Sequence, residues 1–504
     1  MRPIRLWLPL LALALSVCIA GGACAKKEEP QPQAQAAAPA PSDGGKVPVT
    51  TSSEPARAEF LQGRDLAEKL RVTDSIAHFE KAVSIDPGFA LAELNLANSA
   101  PTGKEFFDHL NKAVALAGKA SNGERLLILA TEAGANNNTG KQKELLEQLV
   151  AAHPNDERAH FNAGAYYFGQ QDYPKAIEHY KKANEIAPTY SPAYNIIGYA
   201  YRQVGDYGNA EQSFRKYIDL IPADPNPYDS YAELLLKMGK FDDAIVQYRK
   251  ALAIDANFVS SYQGIAAALL YGGKSKEAAA EIQTMTEKAR NDGERRTALF
   301  VLTVIHADGG KLDQAVADLD RQYTLAEKTG DVPGMTGDLL LKGNTLLEAG
   351  KYDQAKAQFE KGLKMVDASN LSQEIKDNAK RFHHSNLARV ALGKKDLATA
   401  KTETEAFQKE AEAAQNPGLV RQWHTLAGMV ALQEKDYGKA IAELQQANLQ
   451  DPYNLYRLGQ AYQGKGDKDK AKEFATKAAD FNSLPALNYA FVRTRAKKAA
   501  AAAG

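Results

Sequence analysis

Only two cysteines occur in the 504 residues, Cys18 and Cys24, and both fall near the N-terminus. From residue 25 onward no disulfide can restrict the unfolded chain and no thiolate cluster can hold a metal, so the body must be stabilised by packing. An excess of charge is missing too: 62 basic residues offset 62 acidic ones. That balance argues against a protein drawn onto a phosphate backbone, so no nucleic-acid partner is expected. Long apolar runs are absent after Ala20. No later segment supplies the roughly 20 residues that a membrane-spanning helix needs.

What is present at the N-terminus has the layout of an export signal: Arg2 and Arg5, an apolar run from Leu6 to Ala20, then Gly21, Gly22 and Ala23. The stretch Gly21-Gly22-Ala23-Cys24 resembles the lipobox of bacterial lipoproteins, although Gly21 stands where that family usually has leucine. The resemblance implies that Cys24 becomes the first mature residue and carries a lipid. In such lipoproteins an aspartate after the cysteine retains the protein in the inner membrane; Ala25 is not aspartate, which points to the outer membrane with the body facing the periplasm. Ala23-Cys24-Ala25 also reads as small-x-small, so cleavage after Ala25 and a soluble periplasmic protein stay open. Residues 26–55 are rich in Pro, Ala, Gln and charge and read as a disordered tether, able to reach about 90 Å if extended. Several acyl chains, at about 0.8 kcal/mol per buried methylene, would make such a tether's anchor permanent.

From residue 56 the dominant feature is self-similarity with a period of 34. The segment starting at His160 aligns with the one starting at Tyr194, and further copies begin at Tyr228 and Tyr262. Gly164 and Gly198 fall on one small site, Ala176, Ala210 and Ala244 on another, and Pro188 and Pro222 close the unit. Tyr180, Phe214 and Tyr248 fill a large aromatic site between them. Ala355, Gly428, Ala440, Gly459 and Ala471 continue the pattern. Apolar residues recur three or four apart and short polar connections follow, which makes antiparallel amphipathic helices. These residues resemble the tetratricopeptide repeat, and the resemblance implies an all-α fold, a right-handed superhelical solenoid of antiparallel helix pairs.

On this template about 12 units begin near residues 56, 87, 123, 157, 191, 225, 259, 296, 336, 381, 421 and 452. Residues 56–292 form an N-terminal array and 293–481 a C-terminal array of longer units, with a bend expected near Gly330 to Gly334. Residues 482–504 should form a capping helix through Phe491 and an alanine-rich tail that frays from Lys497.

Several fragments imitate catalytic motifs. Gly272-Gly273-Lys274-Ser275 looks like the end of a phosphate-binding loop, but Ala268 stands where the first glycine is needed and no strand precedes it, so it reads as an inter-helix turn. Ser213, Lys216 and Lys328-Thr329-Gly330 resemble elements of penicillin-binding enzymes without the third element or the sheet. His160, His384 and His424 share one first-helix position and read as packing residues, and the adjacent His383 and His384 point different ways on a helix. No catalytic residue, metal ligand, cofactor or small-molecule substrate is expected.

The resemblance implies binding along a concave face lined by first helices. The positions expected there are Asn195, Tyr199, Arg202, Glu233, Gln263, Asn344, Arg389 and Tyr456, a mixture of amides, aromatics and arginine suited to a peptide or protein segment. Some proteins of this kind hold chaperone C-termini with a clamp of Lys, Asn and Arg; Phe161 and Ala165 stand at two of those positions, so the clamp is missing. The expected function is a non-enzymatic scaffold in the cell envelope, binding other proteins in assembly or export of envelope components. The alternative is a soluble periplasmic holdase that binds many peptides.

Overall fold

The computed structural model describes residues 45–502 apart from residue 415; the export segment, Cys24 and residues 26–44 of the expected tether lie outside the described residues. Twenty-five α-helices follow one another, with no strand among the described residues. Twenty-four of them form twelve antiparallel pairs: α1 (Glu54–Glu68) with α2 (Val72–Ile85), α3 (Ala90–Ser99) with α4 (Gly103–Leu116), α5 (Asn122–Ala135) with α6 (Thr139–Ala152) and α7 (Glu157–Gly169) with α8 (Tyr173–Ile186). Next come α9 (Ser191–Gln203) with α10 (Tyr207–Leu220), α11 (Asn226–Lys237) with α12 (Phe241–Ile254), α13 (Val259–Tyr271) with α14 (Ser275–Lys288) and α15 (Asp292–Asp308) with α16 (Leu312–Thr329). The last four are α17 (Val332–Glu348) with α18 (Tyr352–Asp367), α19 (Gln373–Lys394) with α20 (Leu397–Ala413), α21 (Pro417–Glu434) with α22 (Tyr437–Gln446) and α23 (Pro452–Lys465) with α24 (Lys468–Ala479). A final helix, α25 (Leu487–Ala502), packs on α24 and folds back against α15 and α23.

Local chemistry sets the boundaries. Asp172, Asp206, Asp396, Asp436 and Asp467 each accept a backbone N–H of the second helix they precede, satisfying a donor with no intrahelical partner. In the same connections one residue takes a left-handed conformation, Gly205 in one unit and Gly466 in another, which only glycine adopts without strain. Lys395 and Lys435 fill that position where glycine is absent.

The two helices of a pair cross where a first-helix small residue faces the second. A Cβ added at Gly164 would lie 2.7 Å from the Tyr180 ring, and one at Gly198 would lie 2.8 Å from the Phe214 ring, in both cases sixteen residues on. Gly63 with Phe79, Gly343 with Phe359 and Gly428 with Leu444 repeat this spacing. Tyr180, Phe214, Ala176, Ala210, Ala244, Ala355 and Ala440 are all fully buried, as the small and large sites of the pattern require.

The C-terminal units are longer because their helices are longer: α10 has 14 residues, whereas α19 has 22. Consequently α15, α17, α19 and α21 begin at 292, 332, 373 and 417, a few residues before the starts expected from the 34-residue template. Within this stretch the Arg296 guanidinium grips Asp338 through two hydrogen bonds of 2.8 and 3.2 Å in a buried setting.

Contacts between residues more than 200 positions apart give the solenoid its pitch. Thr73 and Asp74, at the turn of the first pair, meet Glu294 and Arg290 at 3.0 and 2.7 Å. The backbone N–H of Lys104 donates to Asp331 at 3.0 Å, and Ser372 donates to Asn136 at 2.7 Å. Pairs one, two and three thus touch the junctions after pairs seven, eight and nine, so about seven pairs complete one turn and the second coil rests on the first.

The C-terminal segment extends this stacking. Lys237 donates to the Phe481 carbonyl at 2.6 Å and sits 3.9 Å from that ring's centroid, with its ammonium pushed down by burial to about 7. Tyr271 donates to the Ser483 carbonyl at 2.7 Å, and Arg493 to Asp308 at 2.6 Å. The capping helix therefore starts at Leu487, after a connection pinned to α11 and α13, and not at residue 482. The alanine-rich end expected to fray is helical through Ala502, consistent with the high helix propensity of alanine and the burial of Ala496.

Gly198→Val should destabilise the protein by about 1–3 kcal/mol through overpacking against Phe214. Urea unfolding should show that Phe214→Leu, harmful alone, recovers part of this loss in the double variant.

Candidate functional site

The first helices line the inner face of each coil, and two cavities open on it. The first, of about 250 Å³, is bounded by α1, α3, α5, α7 and α9 and by residues 46–49. Those residues belong to a segment that the sequence places in the tether, yet it is docked along three units. Lys46 pairs with Glu157 at 2.8 Å, the Val47 N–H donates to Asp156 at 2.8 Å, the Thr50 N–H donates to Glu124 at 2.8 Å and the Thr51 hydroxyl donates to Asp86 at 2.6 Å. The four acids stand where a first helix begins or a second helix ends, so the repeat itself sets their spacing.

Amides recur on the cavity wall. Asn95 and Asn162 each donate to the carbonyl four residues earlier, at 2.8 Å, which leaves the Oδ1 of each available as an acceptor. Asn195 also reaches the cavity, and its buried Oδ1 has no donor among the described residues. Arg158 forks onto Glu68 at 2.6 and 3.0 Å and lies 5.1 Å from the Tyr190 centroid. Burial and then the nearby Arg158 push the Arg64 guanidinium below its usual range.

The eight groove positions expected from the sequence divide three ways. Asn195, Tyr199 and Arg202 line the first cavity, with Tyr199 edge-on to Phe214 at 5.1 Å and Arg202 over the Tyr199 ring at 4.6 Å. Asn344 and Arg389 line the second cavity. Glu233, Gln263 and Tyr456 line neither. Glu233 and Gln263 are buried, Glu233 3.5 Å from Arg202, because neighbouring first helices α11 and α13 pack on each other. Tyr456 sits beside Tyr453 and Arg495 of the capping helix. A straight alignment of repeats treats these positions as facing open space, and the tight coil covers them.

The second cavity, about 750 Å³, runs between the coils. Leu127 and Tyr166 of the first coil face Phe382, Met429 and Arg457 of the second, and residues 481–488 close one side.

Family models of the tetratricopeptide repeat match residues 157–190, 191–224, 226–258, 339–365 and 452–483. The chain contains tetratricopeptide repeats in these five segments. Solved structures with similar folds include a tetratricopeptide repeat protein from Parabacteroides merdae ATCC 43184, 15% identical over 57% of this chain and 99% of that one, with a TM-score of 0.35. Others are MamA from Desulfovibrio magneticus RS-1, at 15% identity, 34% and 96% coverage and a TM-score of 0.29, and YrrB, a tetratricopeptide repeat protein with an unusual peptide-binding site, at 18% identity, 36% and 91% coverage and a TM-score of 0.25. No curated protein matches the chain.

The tetratricopeptide frame accounts for the motifs that imitate catalysis. Gly272 ends α13 and Gly273, with φ +84°, makes the inter-helix turn. Ser213 donates to the carbonyl of Asn209 within α10. Among the described residues no group of His, Cys, Asp or Glu is arranged to hold a metal, and no helix is long and apolar enough to cross a membrane.

The histidines depart from the packing role expected of them. His384 bonds Glu403 at 2.6 Å and His424 bonds Glu443 at 2.7 Å, each nineteen residues on, in the second helix of its own repeat. The third, His160, meets His179 at the same spacing, 3.3 Å between Nδ1 atoms. His160 Nε2 donates to the Pro154 carbonyl at 3.1 Å, so its Nδ1 accepts and His179 donates. Repeat consensus carries no signal for a pair that spans two helices, but the recurrence of His or Glu nineteen residues after each histidine does.

Burial and then His160 hold the His179 imidazole below its ordinary 6.5, so the fold favours its neutral form. That contribution to stability is complete above about pH 6.5 and is lost as the pH falls toward the folded value. The urea midpoint of the protein should therefore fall relative to that of His179→Gln between pH 7.5 and 5.5; parallel midpoints over that range would contradict the assignment.

Proposed function

We propose that this tetratricopeptide-repeat protein is a non-enzymatic scaffold of the bacterial cell envelope, exported by residues 1–25, held to a membrane through a lipid on Cys24, and engaged with an extended segment of a partner protein along its first cavity. The observation that carries the binding reading is the chain's own residues 46–51. They lie extended on the inner edge of three units with two backbone N–H groups on carboxylates. A partner segment meets the same chemistry a few ångströms further in. The Oδ1 atoms of Asn95, Asn162 and Asn195 accept backbone N–H groups, while Phe161 and Tyr199 supply apolar contact. Alternate side chains of an extended chain face the wall, so affinity comes from the main chain and selectivity from the pockets between first helices. The anchor reading is supported by the small residues before Cys24 and by the low-complexity sequence that follows it.

Two measurements test the halves separately. Cys24→Ser should move the protein from the membrane pellet to the soluble fraction, and retention in the pellet would remove the anchor. A photo-crosslinking residue at position 95 or 161, with exposed position 216 as control, should capture one abundant partner in cells. Many unrelated adducts would favour the holdase reading, and none would mean that this face binds no protein.

A further inference from the structure

The second cavity is lined by two arginines that form no ion pair among the described residues. Arg389 on α19 donates to Asn344 Oδ1 at 2.7 Å, and Arg457 on α23 donates to Asn454 Oδ1 at 2.9 Å while stacking on Tyr453 at 4.0 Å. Neither guanidinium forms an ion pair among the described residues. The nearest acids are committed elsewhere. Glu348 receives Tyr453 Oη at 2.6 Å and Arg495 at 2.7 Å. Asp451 caps α23 through the Tyr453 N–H at 2.9 Å and receives Asn488 at 3.2 Å. Burial, then repulsion by Arg457, push Arg389 below the usual guanidinium range. Buried charge without a counter-ion is costly, and the two arginines sit on the wall of a space large enough for a ligand.

A third group points to the same space. His383, six residues before Arg389 on the same helix and so about 9 Å away along its axis, lines the cavity with a buried Nδ1 that has no hydrogen-bond partner among the described residues. The remaining walls are largely apolar, with Phe107, Tyr166, Leu341, Phe382 and Met429 among them. The charged lining is thus Arg389, Arg457 and Asp451, one net positive charge with His383 neutral.

We propose that this cavity binds a small amphipathic monoanion, a carboxylate on an apolar body of about the size of a medium-chain fatty acid. The carboxylate lies across Arg389 and Arg457, whose forked donors match its two oxygens, and the body runs toward Phe382 and Met429. The volume of about 750 Å³ falls in the range of small-ligand sites. Walls from both coils and residues 481–488 line it, so a ligand there meets side chains from several sides. The inference does not depend on the scaffold reading, since Arg389, Arg457 and His383 line the second cavity and not the first.

Calorimetric titration of the full chain with dodecanoate, below its micelle concentration, tests it. Dodecanoate should bind one to one, and dodecanol at least tenfold more weakly. Arg389→Gln and Arg457→Gln should each weaken dodecanoate at least tenfold, and Asn386→Trp, which fills the cavity and replaces neither arginine, should abolish binding. Arg125→Gln, on an exposed surface, should change nothing. Far-UV circular dichroism confirms that each variant is folded, and Asn386→Trp keeps the test decisive if an arginine variant is not. Equal affinity for dodecanol, full affinity in a folded Arg389→Gln, or no binding of dodecanoate to the wild type would overturn the proposal. Crosslinking from position 95, which lines the first cavity and not the second, would be unaffected by any of these results, so the two readings fail separately.

Discussion

Glycine beneath a large side chain sixteen residues later is the contact on which the other levels of this structure depend. Where Gly198 meets Phe214 or Gly164 meets Tyr180, the absent Cβ lets the ring sit against the first helix, and the close approach fixes how each pair crosses. Alanines such as Ala210 and Ala244 give the same closeness where the second helix starts. Because the crossing repeats, its small rotation accumulates, and after about seven pairs the chain returns above its starting point. The bonds between coils follow from that return. Thr73 with Glu294, Lys104 with Asp331 and Gln171 with Asn448 form at positions dictated by pitch.

The same reasoning explains which parts of the fold were legible in the sequence. Periodicity within a unit is local, and the helix pairs, their small and aromatic sites and the twelve-fold repeat could be read from residues such as Ala176, Tyr180 and Gly428. Unit boundaries from 292 to 413 were displaced because the template fixes the crossing and not the helix ends; Asn291, Asp331 and Ser372 cap their helices several residues before the aligned positions. Contacts between coils join residues with no sequence relation, so the split of the groove into two cavities had no signal; the packing of α11 on α13 that buries Glu233 follows from the tightness of the coil, which an alignment of repeats does not carry. Asn195 and Arg389 were both picked out as inner-face positions, and the structure assigns them to different spaces.

The two cavities differ in how they treat charge. In the first, Arg158 is paired with Glu68 and Arg202 lies 3.5 Å from Glu233, Arg64 alone of its arginines has no ion pair among the described residues, and Asn195 Oδ1 is the buried amide oxygen left without a partner there. In the second, arginines are matched only by amides, and the unsatisfied group is an imidazole nitrogen. A neutral acceptor row suits a main chain, and a desolvated guanidinium pair suits an oxyanion. One repeated helix pair can thus present two chemistries, because the inner positions are free to vary once the crossing is satisfied.

The docked segment ahead of α1 also has a mechanical consequence. Any pull transmitted from residues before Gly45 reaches the solenoid at Glu157, Asp156, Glu124 and Asp86 before it reaches the first turn of α1. These bonds lie along the segment and share the load in shear across three repeats. A solenoid drawn by its end would unpeel one pair at a time, whereas here the terminal pair is bypassed and the force enters the body of the coil.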